Sequence, residues 1–210
     1  MQSFRYGKNE AGTVLIQMVD AHDLRELEQE AALIQKDNDD FSLIALKVND
    51  WNRDLSPWKA PAVYGDNGFN GMAEETLKEV LTLCGDRTKE YHLGGYSLAG
   101  LFALWVGTRT DLFRGIAAAS PSVWFPDFTG YLRDHPVQCK SVYLSLGDKE
   151  DKTRHPVMKT VSERIRETCS IIQDQGIPCI LEWNPGNHFK DPVQRTARAF
   201  SRLLDTCKPA

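Results

Sequence analysis

At 210 residues with 41% hydrophobic side chains, the chain carries enough apolar material for one self-sufficient core that needs no covalent staples. Its net charge of −4, with no block of like charge, argues against a nucleic-acid partner, because phosphate binding needs clustered basic residues. No apolar run approaches membrane-spanning length, and residues 1–10 carry Arg5, Lys8 and Glu10 where a signal peptide would have an apolar centre, so a cytoplasmic protein without a membrane partner is expected.

The first strand expected is Val14–Val19, followed by a helix whose Leu24, Leu27, Ala31 and Ile34 recur at helical spacing. A second strand, Leu43–Val48, leads into an irregular stretch from Asn49 to Asn70 with Trp51, Trp58, Tyr64 and Phe69 among prolines and glycines. Ala73, Leu77, Val80 and Cys84 mark the next helix, and Tyr91–Gly95 the next strand, which runs through a small-residue turn into an apolar helix over Leu101–Val106. After a strand at Gly115–Ala119 comes a second irregular stretch, Ser120 to Lys140, with Trp124, Phe125, Phe128 and Tyr131. Ser141–Leu146 and Cys179–Trp183 complete the strands. Between them Pro156 opens a helix carrying Val157, Val161 and Ile165, and after them Asp191 caps a last helix with Val193, Ala197, Phe200 and Leu204. Every strand is short and nearly continuously apolar, as strands buried on both faces are. The alternation predicts one α/β domain over residues 1–210, with a mostly parallel sheet flanked by helices on both faces. Five cysteines (Cys84, Cys139, Cys169, Cys179, Cys207) are odd in number and never spaced as CxxC, so buried free thiols are expected, with no zinc site.

Both irregular stretches follow the C-terminal end of a strand, where open α/β sheets bind ligands. Trp51 and Trp124 are therefore the candidate substrate-binding residues.

Gly95-Tyr96-Ser97-Leu98-Ala99 is close to the G-x-S-x-G nucleophile elbow, with Ala99 in place of the second glycine. No lysine follows the glycines, which disfavours a phosphate loop. A serine hydroxyl is a poor nucleophile at neutral pH and needs a base and an orienting acid. The chain supplies both in the order Ser, acid, His, each after a strand. Asp148, Glu150 and Asp151 all lie in the turn after Ser141–Leu146, and that turn alone does not choose among them. Of the five histidines, His188 lies in the loop after the last strand, where the base belongs. His22 follows the first strand, His92 is inside a strand, and His135 and His155 adjoin prolines. The oxyanion hole should take one N–H from Leu98 and a second from the loop Asp20–Asp23, with Ala21 or His22 as donor.

With these residues in view, the chain resembles the esterase D-like esterases of the α/β-hydrolase superfamily, in particular their enterochelin-esterase-like branch. The resemblance rests on residues 14–20, Asp50-Trp51-Asn52-Arg53, residues 95–104, Ala119-Ser-Pro-Ser-Val-Trp124 and Pro185-Gly-Asn-His188. It implies a compact α/β-hydrolase fold with no large cap domain. It also implies a Gly-x-x-Glu acid turn, which falls on Gly147 and Glu150. The departures are Ala99 for glycine and Asp20-Ala21 where relatives carry His-Gly or Asp-Gly. The resemblance covers the esterase domain without the N-terminal accessory domain of enterochelin esterases, so that substrate is not expected from it. The expected activity is hydrolysis of a small carboxylic ester through an acyl-enzyme on Ser97, with His188 as base, Glu150 as orienting acid, and no metal or cofactor. A thioesterase or acyltransferase would use the same residues. A peptidase on this fold needs a larger cap, and a silent binding module would not need the Ser–acid–His set. Oligomeric state is left open.

Overall fold

The computed structural model describes residues 1–63 and 65–207; Tyr64 and the Cys207 side chain, both named above, lie outside the described residues. In chain order the elements are β1 (Gln2–Gly7), β2 (Thr13–Val19), α1 (Leu27–Gln35), β3 (Phe41–Lys47), α2 (Trp51–Leu55), β4 (Lys59–Ala60), β5 (Phe69–Asn70), α3 (Ala73–Thr82) and β6 (Glu90–Tyr96). They continue with α4 (Leu98–Gly107), β7 (Phe113–Ala119), α5 (Phe128–Asp134), β8 (Ser141–Gly147), α6 (Val161–Asp174), β9 (Cys179–Asn184) and α7 (Pro192–Cys207).

The continuous apolar runs build a seven-stranded sheet in the order β1-β3-β2-β6-β7-β8-β9. All neighbours are parallel except β1, which pairs antiparallel with β3. The order changes direction between β2 and β6, and the ligand crevice of an open α/β sheet forms at the strand C-termini beside such a switch point. Successive strand residues point to opposite faces, and both faces are covered. Val14, Ile16 and Met18 of β2 pack with the α4 core, while Leu15 and Val19 pack with Ile34 of α1 and Phe200 of α7. Among the described residues no helix is long and apolar enough to cross a membrane.

Edges and connections depart from the sequence expectation. β1 was not foreseen, because an edge strand with mostly exposed side chains has no apolar run to betray it. β9, expected to be buried on both faces, is the opposite edge: Ile180 is 44% exposed and Trp183, stacked under the Arg166 guanidinium, 36%. Leu24 lies in a 3₁₀ turn before α1, and Pro156 precedes the 3₁₀ turn Met158–Thr160 and so does not sit in the first turn of α6.

The two stretches expected to be irregular contain α2, the short β4–β5 hairpin and α5. Buried Asp54 organises the first. Its Oδ2 accepts the N–H groups of Asn49 (3.0 Å) and Asp50 (2.9 Å), and its carbonyl accepts the Thr76 hydroxyl of α3. His92 is buried beside Leu203 of α7 with no hydrogen-bond partner for either ring nitrogen among the described residues, and burial pushes it down to about 4, so it is a neutral core side chain. Cys84, Cys139, Cys169 and Cys179 are buried free thiols.

Candidate active site

β6 ends in a turn that places Ser97 at φ 57°, ψ −120°, a conformation that costs an L-residue about 1–3 kcal/mol. Three backbone hydrogen bonds hold it there. The Ser97 N–H donates to Ala119 O (3.1 Å), and the Ser97 carbonyl accepts from the N–H groups of Leu101 (3.1 Å) and Ser122 (3.0 Å). The turn also explains Ala99. A Cβ on Gly95 would fall 2.7 Å from the Ala99 methyl, so smallness is required at position 95, and the methyl of Ala99 occupies the space that leaves. α4 starts directly at Leu98. Its first intrahelical N–H bond is that of Leu101, so the N–H of Leu98 precedes the helix ladder and carries the positive end of the helix to the serine. Ser120 and Asp191, which flank the site, also have positive φ (44° and 53°).

The turn after β8 and the loop after β9 meet beside Ser97. His188 Nε2 lies 3.1 Å from Ser97 Oγ, and His188 Nδ1 lies 2.7 Å from Glu150 Oε2. The other oxygen of Glu150 accepts the Gly147 N–H (2.7 Å), the Ser120 hydroxyl (2.7 Å) and Arg195 Nη1 (3.0 Å). Burial raises the Glu150 carboxyl, but His188, the Gly147 N–H and the Ser120 hydroxyl outweigh it and hold the group below the ordinary glutamate value. An ionised carboxylate can only accept, so Nδ1 of His188 carries the proton and the lone pair of Nε2 faces the serine hydroxyl.

The other two acids of that turn do different work. Asp148 Oδ1 accepts the Gly186 N–H (2.7 Å), tying the turn to the histidine loop, and Asp151 pairs with exposed Lys152. The two segments touch backbone to backbone, since a Cβ on Gly147 would fall 2.3 Å from Gly186 O. The histidine loop is held twice more, by the Tyr96 hydroxyl donating to His188 O (2.5 Å) and by Arg195 Nη2 donating to Pro185 O (3.1 Å).

A cavity of about 460 Å³ opens over Ser97 and His188. Trp51, Phe69, Trp124 and Met158 give it an apolar wall, and Leu98, Ser122 and Glu150 also reach it. The aromatics of the two loops divide their labour. Trp58 packs on Phe125 (5.5 Å) and Tyr131 (5.2 Å) and donates its indole N–H to Pro126 O (3.2 Å), pinning one stretch to the other. Trp51 and Trp124 instead line the cavity.

Ala21 and His22 are not brought to the cavity. They lie in an exposed turn in which Asp20 Oδ1 accepts the N–H groups of His22 (2.6 Å) and Asp23 (2.8 Å). Two of the turn's donors, the N–H groups of His22 and Asp23, are thus spent on its own side chain, as in aspartate turns. Three residues that sequence reasoning passed over do reach the site: Tyr96, Ser122 and Arg195. Ser122 Oγ, buried, lies 3.3 Å from Ser97 Oγ. Arg195 bridges Tyr96, Ser120 and Glu150 with one nitrogen. A signal for it existed: Arg195, Ala199 and Leu203 stand at i, i+4, i+8, so the arginine heads a buried row of α7.

Neither a family model nor a curated protein sequence matches the chain. Solved structures do. An IroE-like serine hydrolase from Shewanella oneidensis superposes with a TM-score of 0.76 at 14% identity, over 100% of this chain and 81% of that one. The siderophore hydrolase EstA from Aspergillus nidulans gives 0.67 at 15% identity, over 99% and 95%. The enterobactin esterase FES from Shigella flexneri gives 0.67 at 11% identity, and the match covers 98% of this chain but 56% of that one. Together with the mostly parallel sheet and the serine at its strand–helix elbow, these likenesses establish that the chain has the α/β-hydrolase fold.

Proposed function

We propose that the chain hydrolyses small carboxylic esters through an acyl-enzyme on Ser97. The observation that carries this reading is the unbroken line Ser97 Oγ, His188, Glu150 (3.1 Å and 2.7 Å) opening into an apolar-walled cavity. Ser97 Oγ attacks the acyl carbonyl while His188 Nε2 takes its proton, and Glu150 stabilises the resulting imidazolium. The N–H of Leu98 donates to the oxyanion. The buried hydroxyl of Ser122 is the second donor in this reading, because the turn at Ala21 lies outside the cavity. His188 then gives its proton to the leaving alkoxide. Water enters, loses a proton to the same nitrogen and attacks the acyl-enzyme, and collapse of that intermediate frees the acid and returns the proton to Ser97. Every step is written with side-chain and backbone groups of this chain and water. The names of the structural neighbours, a serine hydrolase, a siderophore hydrolase and an enterobactin esterase, agree with this chemistry.

The test is Ser97→Ala assayed on 4-nitrophenyl butyrate. The rate should fall by about 10⁴-fold or more, and a fluorophosphonate that labels the wild type should leave the variant unlabelled. An unchanged rate overturns the assignment.

A further inference from the structure

Three charged side chains line the cavity: Lys149, Glu150 and Lys152. The Glu150 carboxylate is buried and fully engaged by His188, Gly147, Ser120 and Arg195. The two exposed charges at the mouth are therefore both ammonium groups, in a chain whose net charge is −4. Lys149 has no acidic partner among the described residues, whereas Lys152 shares Asp151. The surface next to the mouth continues the sign, since Lys152, Arg154 and Lys159 surround a shallow depression with Asp151 as its single acid. A cleft walled by apolar groups focuses such a field on whatever enters it.

The second feature is Phe189, the residue after His188. Its ring is 85% exposed, stands edge-on to the imidazole with centroids 5.5 Å apart, and lines the cavity. It packs in no core. An aromatic ring kept in water beside the reacting atoms, lining the same cavity as Trp51 and Trp124, offers contact to an apolar group of a ligand.

We propose that the ester cleaved here is an anionic one, its apolar part held between Phe189 and the tryptophan wall and its negatively charged oxygen group received by Lys149 and Lys152 at the mouth. This rests on the ester-hydrolase reading and adds the substrate's charge to it. Lysines are point charges that do not discriminate between carboxylate and phosphate geometry, so the shared chemistry is an anionic oxygen group.

Two matched pairs of esters test it, and they separate the side of the scissile bond that bears the charge. 4-Nitrophenyl hydrogen glutarate against 4-nitrophenyl butyrate puts the anion on the acyl side. 4-Butyryloxybenzoate against its methyl ester puts it on the leaving group. The measured quantity is the ratio of kcat/KM, anionic over neutral, in the wild type and in Lys149→Glu/Lys152→Glu. In at least one pair the double charge reversal should lower that ratio by about 10-fold or more, chiefly through KM, and salt should weaken the wild-type preference. Lys149→Gln/Lys152→Gln should give an intermediate ratio, and it serves as the second variant should the reversal fold poorly. Ratios equal within about twofold across wild type and variants in both pairs overturn this inference alone. Failure of the wild type to hydrolyse any of the four esters overturns the ester-hydrolase reading and this inference with it.

Discussion

Glu30 and Glu150 are both buried glutamates, one near the turn after β2 and the other in the turn after β8, and they end in opposite states of charge. Glu30 has one carboxyl oxygen with no partner among the described residues and lies near the like charge of Asp23; burial outweighs the help of Gln17 and pushes it up to about 8. Glu150 is buried as well, yet its partners hold it below the ordinary value. Burial therefore does not decide the charge of a carboxyl; the partners do. The turns themselves differ in the same way. Asp20 satisfies donors two and three residues away. Glu150 draws donors 3, 30, 38 and 45 residues away, so its charge fixes four segments relative to one another. A carboxylate satisfied within its own turn shapes that turn. One satisfied from across the fold holds a site together.

The sharpest way to break this contrast is to neutralise one acid in each turn. Glu150→Gln keeps the shape but removes the charge that, in the proposed mechanism, fixes the His188 tautomer and stabilises the imidazolium. Turnover of 4-nitrophenyl butyrate should fall by about 10³–10⁴-fold. Asp20→Asn, in the turn that satisfies itself, should change the same rate by less than about twofold. Equal losses in both variants would sink the comparison.

Arg195 supplies the next test, on stability. Its side chain is 3% exposed and faces an equally buried Glu150, whereas Arg198, further along the same helix, pairs with Glu182 in partly exposed positions. Removing one member of a buried pair strands the other, at about 3–5 kcal/mol, while an exposed pair contributes about 0–1 kcal/mol. Arg195→Met should lower Tm by about 6 °C or more and Arg198→Met by about 3 °C or less, read by thermal unfolding at one pH. A near-normal Tm for Arg195→Met would mean that Gly147, Ser120 and His188 satisfy the carboxylate without it.

Ser122→Ala is the milder active-site change. If its hydroxyl stabilises the oxyanion, kcat should fall by about 10²-fold with KM little altered. A rise in KM at constant kcat would place Ser122 in ground-state binding instead.

What the sequence made legible follows the same division between near and far partners. β2, β6, β7 and β8 were readable because both faces are buried and the run is nearly continuous in apolar residues. β1 and the exposure of β9 were not, because edge strands carry only half of that signal. That Ser97, Glu150 and His188 would be brought near one another was readable from three short segments, each at a strand end and each with a glycine two or three residues before the side chain. Glu150 was set apart from Asp148 and Asp151 only by a family resemblance, since its distinguishing partners lie on other elements. Ala21 is a different case: it is exposed and does not line the cavity, and how a loop after a strand folds relative to a site is not recorded in composition. Arg195 was hidden by its charge, because a cation within a helix reads as a solvated face until its apolar neighbours at i+4 and i+8 are counted.

The smallest effect concerns Glu30, and it isolates the other half of the contrast. Unfolded, this carboxyl releases its proton near 4.5; folded, it does so only near about 8. Between those values the unfolded chain has lost a proton that the folded chain keeps, so stability declines as pH rises through this window and levels off above it. His92 acts at the other end. With an ordinary value of 6.5 lowered to about 4, it removes stability as pH falls from 6.5 towards 4 and contributes no slope above 6.5. A decline in Tm between pH 6.5 and 8 therefore reports Glu30. Glu30→Gln, which keeps a neutral group of the same shape, should flatten that segment by about 3 °C or more while leaving the acid limb in place. If wild type and variant decline in parallel between pH 6.5 and 8, Glu30 is ionised in the folded chain, and the partners of the two glutamates differ less than their surroundings imply.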